Sequence, residues 1–199
     1  MIAIAYFLSH KKFCQQPFKV LLQNLIMIFT RKILGQTFSN ESIVSQKLFC
    51  TSITNTEFKN CRFENVDFTG SYLKTCTFNN CTFRQTIFYK CEFWDCSFKN
   101  CQINQCQFTK ADFYTNIFDH SYLQKIDSSW SYFDTCSFYE TNISDIDFTG
   151  AIIDNLVLKE ATFSNLKVSK TFPVKFSKSG KLVEVTDSWG LENLINFIM

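Results

Sequence analysis

TFNNCTFRQTIFYKCEFWDCSFKNC, residues 77–101, sets Phe78, Phe83, Phe88, Phe93 and Phe98 five residues apart and threads Cys81, Cys91, Cys96 and Cys101 between them. A spacing of five suits neither regular element. Five steps carry a helix about 140° past a full turn and put a strand residue on the opposite face of its sheet. A chain that keeps this spacing must bend once per repeat, so that each large apolar side chain returns to a common axis. Reading outward from the quoted stretch, every fifth residue from Phe38 to Val168 is apolar except Ser128. Hydrophobic residues are 46% of the chain, so 26 apolar residues in these 27 positions arise by chance on the order of one time in ten million.

The flanking positions complete the repeat. Two residues before each large apolar residue stand Cys61, Cys76, Cys81, Cys91, Cys96, Cys101, Cys106 and Cys136, with Ala, Ser, Thr or Val at most others. Such small side chains suit an inward site beside a phenylalanine. Two residues after it stand Asn40, Asn55, Asn60, Asn65, Asn80, Asn100, Asn155, Asn165, Gly70, Gly150, Asp95 and Asp145, residue types that tolerate left-handed backbone angles in tight turns. One repeat therefore reads small-inward, polar, large-inward, polar, corner.

On these residues the chain resembles the pentapeptide-repeat family, whose usual motif is Ala-(Asp/Asn)-Leu-X-X; Ala111-Asp112-Phe113 matches it with Phe in place of Leu. The resemblance covers residues 36–170. It implies an all-β fold, a right-handed quadrilateral parallel β-helix solenoid of about seven coils with four repeats per coil. At about 4.8 Å per coil the rod is roughly 32 Å long. Phe38, Phe58, Phe78, Phe98, Phe118, Phe138 and Leu158 then fall in one column. Ser128 sits where a phenylalanine belongs, which predicts a local void or neighbours leaning in.

Three readings compete for the cysteines. A zinc site wants paired spacings such as C-x₂₋₄-C, whereas C-x₄-C sends consecutive thiols to different walls. Disulfides between thiols one coil apart meet the Cα separation, but stacked side chains run parallel and nothing indicates an oxidising compartment. Free cysteine acting as a small buried hydrophobe is the reading adopted. No metal and no cofactor is expected. No nucleophile elbow, zinc-protease helix or phosphate loop is present, so no catalytic residue is assigned and the chain is read as not an enzyme.

A formal net charge of +2 argues for no direct nucleic-acid binding. Its distribution is uneven, since residues 1–37 carry five basic and no acidic side chains while residues 111–168 carry nine acidic and three basic ones. The late carboxylates and outward aromatics mark a candidate protein-binding surface at Asp112, Asp119, Asp127, Trp130, Asp134, Tyr139 and Glu140.

A solenoid needs caps over its terminal coils. Residues 17–34, between Pro17 and Gly35, read as a helix in an N-terminal segment 1–35. It is basic and apolar, suited to plugging the first coil or to attachment at a membrane surface. Met27 is an alternative start. In residues 171–199, FPVKF and KLVEV read as a β-hairpin. Leu191, Leu194, Ile195 and Ile198 follow helical spacing behind Asp187 and Ser188 as candidate caps. Similar proteins pair rods through such a helix, so a homodimer is an expectation. The first 13 residues lack a basic start and a cleavage site, and the location expected is a bacterial cytoplasm, with peripheral membrane association or export as an effector as alternatives. The functional reading is a non-enzymatic protein-binding scaffold. The alternative, from the resemblance to the quinolone-resistance and topoisomerase-protecting branch of the family, is a DNA mimic that binds gyrase or topoisomerase.

Overall fold

The structure is a computed structural model that describes residues 31–169, 174–178, 181–187, 190, 191 and 193. Strands of mostly three residues stack into three parallel sheets. The first wall runs from Lys32–Leu34 to Ile152–Asp154, the second from Thr37–Ser39 to Val157–Lys159, and the third from Ser42–Val44 to Thr162–Ser164. Each residue pairs with the one twenty positions on, as Phe98 does with Phe78 and Phe118. Seven strands per wall before the C-terminal hairpin make seven coils.

The fourth wall differs from the expected square of equal strands. It pairs chiefly through single bridges, Lys47 to Asp67, Asp67 to Ile87 and Ile87 to Gln107 among them. The chain turns there more tightly, with the amide of Ser71 donating to the carbonyl of Phe68 at 2.9 Å and that of Ala111 to Phe108 at 2.8 Å. Side chains reinforce the bend: Oδ1 of Asp67, Asp127 and Asp147 accepts from the amides of Thr69, Ser129 and Thr149 at 2.9, 3.0 and 2.9 Å. This Asx-turn geometry closes the hydrogen bond that a fourth long strand would have used.

Every predicted inward phenylalanine from Phe38 to Phe148 is buried. The rings stack coil upon coil. In the second-wall column Phe78, Phe98, Phe118 and Phe138 are spaced at 4.8 Å with interplanar angles of 10° or less. Full burial of each side chain contributes roughly 1.5–3 kcal/mol, and each ring pair about 0.5–1.5 kcal/mol more. At Ser128 the structure holds a cavity of about 20 Å³, lined by Phe108, Phe113, Phe118, Phe133 and Phe148 among others.

The small inward position has a second requirement that the sequence reading did not include. Cys76 donates from Sγ to the carbonyl of Ile53 at 3.3 Å, Cys101 to Phe78 at 3.3 Å, Ser71 from Oγ to Leu48 at 2.9 Å and Thr141 to Phe118 at 3.1 Å. In each case the acceptor is the large residue of the preceding coil. Cysteine, serine and threonine share a donor, which explains their use over alanine at most of these sites; the thiol is the weak member.

All corners adopt positive φ, including Thr75 (φ 53°), Thr115 (φ 55°), Thr135 (φ 54°) and Trp130 (φ 60°). Ordinary L-residues bear roughly 1–2 kcal/mol of strain there. Gly150 (φ 69°) has a further constraint, because a Cβ on it would lie 2.8 Å from the Trp130 ring. Thr75→Asn is expected to raise Tm by about 2–4 °C, the shift that relief of about 1 kcal/mol gives a chain of this size, whereas Gly150→Ala lowers it and shifts the Trp130 fluorescence. Calorimetry finding the opposite order of the two variants would contradict this reading of the corners.

The N-terminal boundary needs correction. A helix was expected to run to Leu34, but Lys32–Leu34 is strand, paired in register with Ser52–Thr54, and Ile33 is buried against the core. Gly35 (φ 61°) is the corner of the first coil, and a left-handed glycine serves equally as a helix stop and as a solenoid corner. The rest of the expected helix lies outside the described residues. At the other end Val174–Lys178 and Lys181–Val185 pair antiparallel, and the first of them extends the first wall beside Ile152–Asp154. Asp187 Oδ1 accepts from the amide of Gly190 at 2.7 Å, capping a turn whose continuation, with the expected dimer helix, also lies outside the described residues.

Candidate interaction surface

The seven residues selected from the sequence fall on three walls. Asp112 and Asp134 lie on the first. Asp119 and Tyr139 are register partners on the second, with Glu140 at the adjoining corner. Asp127 lies on the fourth, and Trp130 is the corner beyond it.

Asp127 is occupied by its own turn. Its Oδ1 accepts from Ser129 N at 3.0 Å and Ser129 Oγ at 2.6 Å, and its Oδ2 from Thr109 Oγ1 at 3.0 Å. Asp119 sits 3.3 Å from Lys99 Nζ and 2.6 Å from His120 Nδ1, and Glu140 lies 3.0 Å from His120 Nε2. The hydrogen bond from His120 and the nearby Lys99 hold the Asp119 carboxyl below its usual range, while Asp119 and then Glu140 raise His120. An imidazolium can donate to both carboxylates at once.

The sign follows from that shift. A histidine raised on folding adds stability in full below its unfolded pKa, near 6.5, and loses it as pH rises through the higher folded value. NMR titration of His120 is expected to give a pKa above 6.5 that falls in Asp119→Asn; an ordinary value in the native protein would contradict the bridge.

The first wall gathers what the other walls disperse. One outward column reads Tyr72, Glu92, Asp112, Tyr132, Ile152, and the other Lys74, Trp94, Tyr114, Asp134, Asp154. Trp94 and Tyr114 stack at 4.0 Å and 18°, and Tyr132 meets Tyr114 edge-on at 5.6 Å. Trp94 Nε1 donates to Glu92 Oε2 at 3.3 Å. Burial, then the neighbouring Glu92, raises the Asp112 carboxyl; burial, then Asp112, raises the Tyr114 hydroxyl. Asp154 Oδ1 is buried without a hydrogen-bond partner among the described residues. Glu92, Trp94, Tyr114, Tyr132 and Asp154 were not among the selected seven. A twenty-residue step, 94 to 114 to 134 to 154, is the signal that finds them.

The thiols lack the features of a reactive site. All nine described cysteines are free, and all but Cys50 are buried. Burial pushes Cys91, Cys106 and Cys136 up to about 12, so they remain protonated at neutral pH. Among the described residues no group of three or more His, Cys, Asp or Glu side chains could hold a metal ion, and no helix is long and apolar enough to cross a membrane.

The description "Pentapeptide repeats (9 copies)" matches residues 53–97. Among curated proteins, none matches this chain. Three of the solved structures to which it is similar, all at low identity, are the following. QnrB1, a plasmid-mediated fluoroquinolone resistance protein, is 15% identical, with 68% of this chain and 94% of that one covered at a TM-score of 0.43. HetL from the cyanobacterium Nostoc, involved in heterocyst differentiation regulation, is 8% identical, with 82% and 98% covered and a TM-score of 0.27. A pentapeptide repeat protein of the Arabidopsis thaliana thylakoid lumen is 16% identical, with 68% and 63% covered and a TM-score of 0.31. At these scores no residue role transfers from any of them.

Proposed function

We propose that the protein, whose residues 53–97 match the model for pentapeptide repeats, is a non-enzymatic pentapeptide-repeat scaffold that binds another protein through its first wall, in the cytoplasm. The observation that carries this reading is the continuous aromatic and acidic surface formed by Glu92, Trp94, Asp112, Tyr114, Tyr132 and Asp134. Tyr and Trp are enriched at binding hot spots, and a rigid parallel sheet holds them with little conformational entropy left to lose on association. A photo-crosslinking amino acid at position 114, on the first wall, and at position 84, on the third, tests it in cells. Crosslinks to a defined protein at 114 and none at 84 support the proposal; no crosslink from position 114 refutes it.

A DNA mimic acting at gyrase or topoisomerase is the second reading, favoured by the nine carboxylates of residues 111–168. Mimicry asks for an unbroken anionic face. These carboxylates are distributed over the first, second and fourth walls and over corners at Glu140, Asp145 and Glu160, and Asp119 and Asp147 are paired with Lys99 and Lys167, which places this reading behind the first. A gyrase supercoiling assay separates them: a change in supercoiling or in its sensitivity to a quinolone favours mimicry, and no change removes it. Attachment to a membrane surface through residues 17–34 and pairing of two rods through the C-terminal helix remain parts of the proposal that a vesicle flotation assay and light scattering test respectively.

A further inference from the structure

Carboxylates on this rod differ in what neutralises them. Asp119 has Lys99 and His120, Glu140 has His120, Asp147 has Lys167 at 2.5 Å, and Glu57 has Lys59 at 2.9 Å. On the first wall, Glu92, Asp112, Asp134 and Asp154 form no ion pair among the described residues. They are also placed against one another. Glu92 lies directly beside Asp112, and Asp134 beside Asp154, as register partners in a parallel sheet, where strands are about 4.8 Å apart and like charges side by side are destabilising. The cations of this wall stand outside the stretch, with Lys74 before it and Lys175 after it.

The aromatic side chains between these pairs narrow the chemistry. Trp94 and Tyr114 present their ring faces to each other, and the Tyr132 ring stands at 71° to that of Tyr114. The face that Trp94 and Tyr114 share is closed to a cation; the outward parts of the three rings offer apolar contact beside the carboxylate pairs. Long side chains with an aliphatic stem and a cationic head match this combination, because the stem packs on apolar surface while the head stays at the polar group. A guanidinium can further engage a carboxylate through two parallel hydrogen bonds.

We propose that the first wall binds an extended arginine- or lysine-bearing segment of a partner protein, with cationic heads at Glu92–Asp112 and Asp134–Asp154 and stems against Trp94, Tyr114 and Tyr132. This rests on the scaffold reading and specifies its partner. The sheet face, already saturated in its main-chain hydrogen bonds, contributes side chains alone.

The test is fluorescence anisotropy of a labelled nine-residue peptide of alternating arginine and serine against the full-length chain at low and physiological salt. Wild type is expected to bind with an affinity that falls as salt rises. Glu92→Gln with Asp134→Asn should weaken binding tenfold or more, while Glu64→Gln with Glu160→Gln, which removes the same charge elsewhere, leaves it within twofold. Equal losses in the two double variants would show attraction by net charge only and overturn the proposal, as would absence of binding. Calcium alone, titrated calorimetrically, is a further arm: saturable uptake lost in the first double variant would assign the wall to a metal ion instead. A crosslink from position 114 to a partner whose contact segment lacks arginine and lysine would defeat this inference while leaving the scaffold reading standing.

Discussion

Phe98→Ala is expected to lower the unfolding free energy by about 3–5 kcal/mol, the range for phenylalanine truncations in packed cores. Phe98 is 2% exposed and stacks at 4.8 Å on both Phe78 and Phe118, with further ring contacts to Phe83 and Phe93 at 6.2 and 6.0 Å. Deleting the ring empties one rung of a closed coil whose backbone is pinned to both neighbouring coils, so little collapse can refill the space. Phe98→Leu should cost much less, since Leu73 and Leu123 already occupy equivalent sites in other columns. Ser128→Leu should stabilise, because the cavity beside Ser128 is lined by apolar side chains and the added methylenes find contacts there. Urea titrations of the three variants check the set. A loss under about 1 kcal/mol for Phe98→Ala would mean that the ladder is not the close-packed core that full burial implies.

Asn116→Ala is the second large effect, at roughly 2–4 kcal/mol from two polar groups left unsatisfied. Asn116 is fully buried. Its Nδ2 donates to the carbonyl of Phe93 at 3.0 Å and its Oδ1 accepts from the amide of Cys96 at 2.9 Å, so one side chain clips two successive coils together. Alanine leaves a donor and an acceptor with no water in reach. Ser121 makes the same two bonds at its own position, to Phe98 and from Cys101. Asn116→Ser is therefore expected to recover part of the loss. The variants separate hydrogen bonding from volume: serine and alanine are nearly alike in size, and equal destabilisation by both would contradict the clip.

The repeat and its core were legible because one side chain, phenylalanine, recurs with a spacing that neither helix nor strand accommodates. Corners were legible where the chain uses asparagine, aspartate or glycine. They were not legible at Thr75, Lys90 or Trp130, where the same φ is imposed by the coils above and below rather than favoured by the residue. Cysteine misled in one respect, since its size was read correctly and its donated bond was not; serine, threonine and asparagine at the same position carried that clue. The turn wall was written in Asp67-Phe68-Thr69-Gly70 and Asp147-Phe148-Thr149-Gly150, identical stretches eighty residues apart, whose carboxylates act locally. The candidate surface was the least legible feature. Choosing late polar residues by a five-residue rule scatters them over three walls, whereas surfaces on this rod are assembled by the twenty-residue step that brings Trp94, Tyr114 and Asp134 together.

The account stands on the phenylalanine and thiol columns being a dry interior, with all recognition left to the outside. Timed alkylation of the native protein by iodoacetamide, read cysteine by cysteine by mass spectrometry, tests this most directly. Cys50, which is exposed, is predicted to react within minutes, while Cys61, Cys76, Cys81, Cys91, Cys96, Cys101, Cys106 and Cys136 stay unmodified until denaturant is added. Modification of several of those eight at the rate of Cys50, in protein that remains folded by circular dichroism, would contradict it.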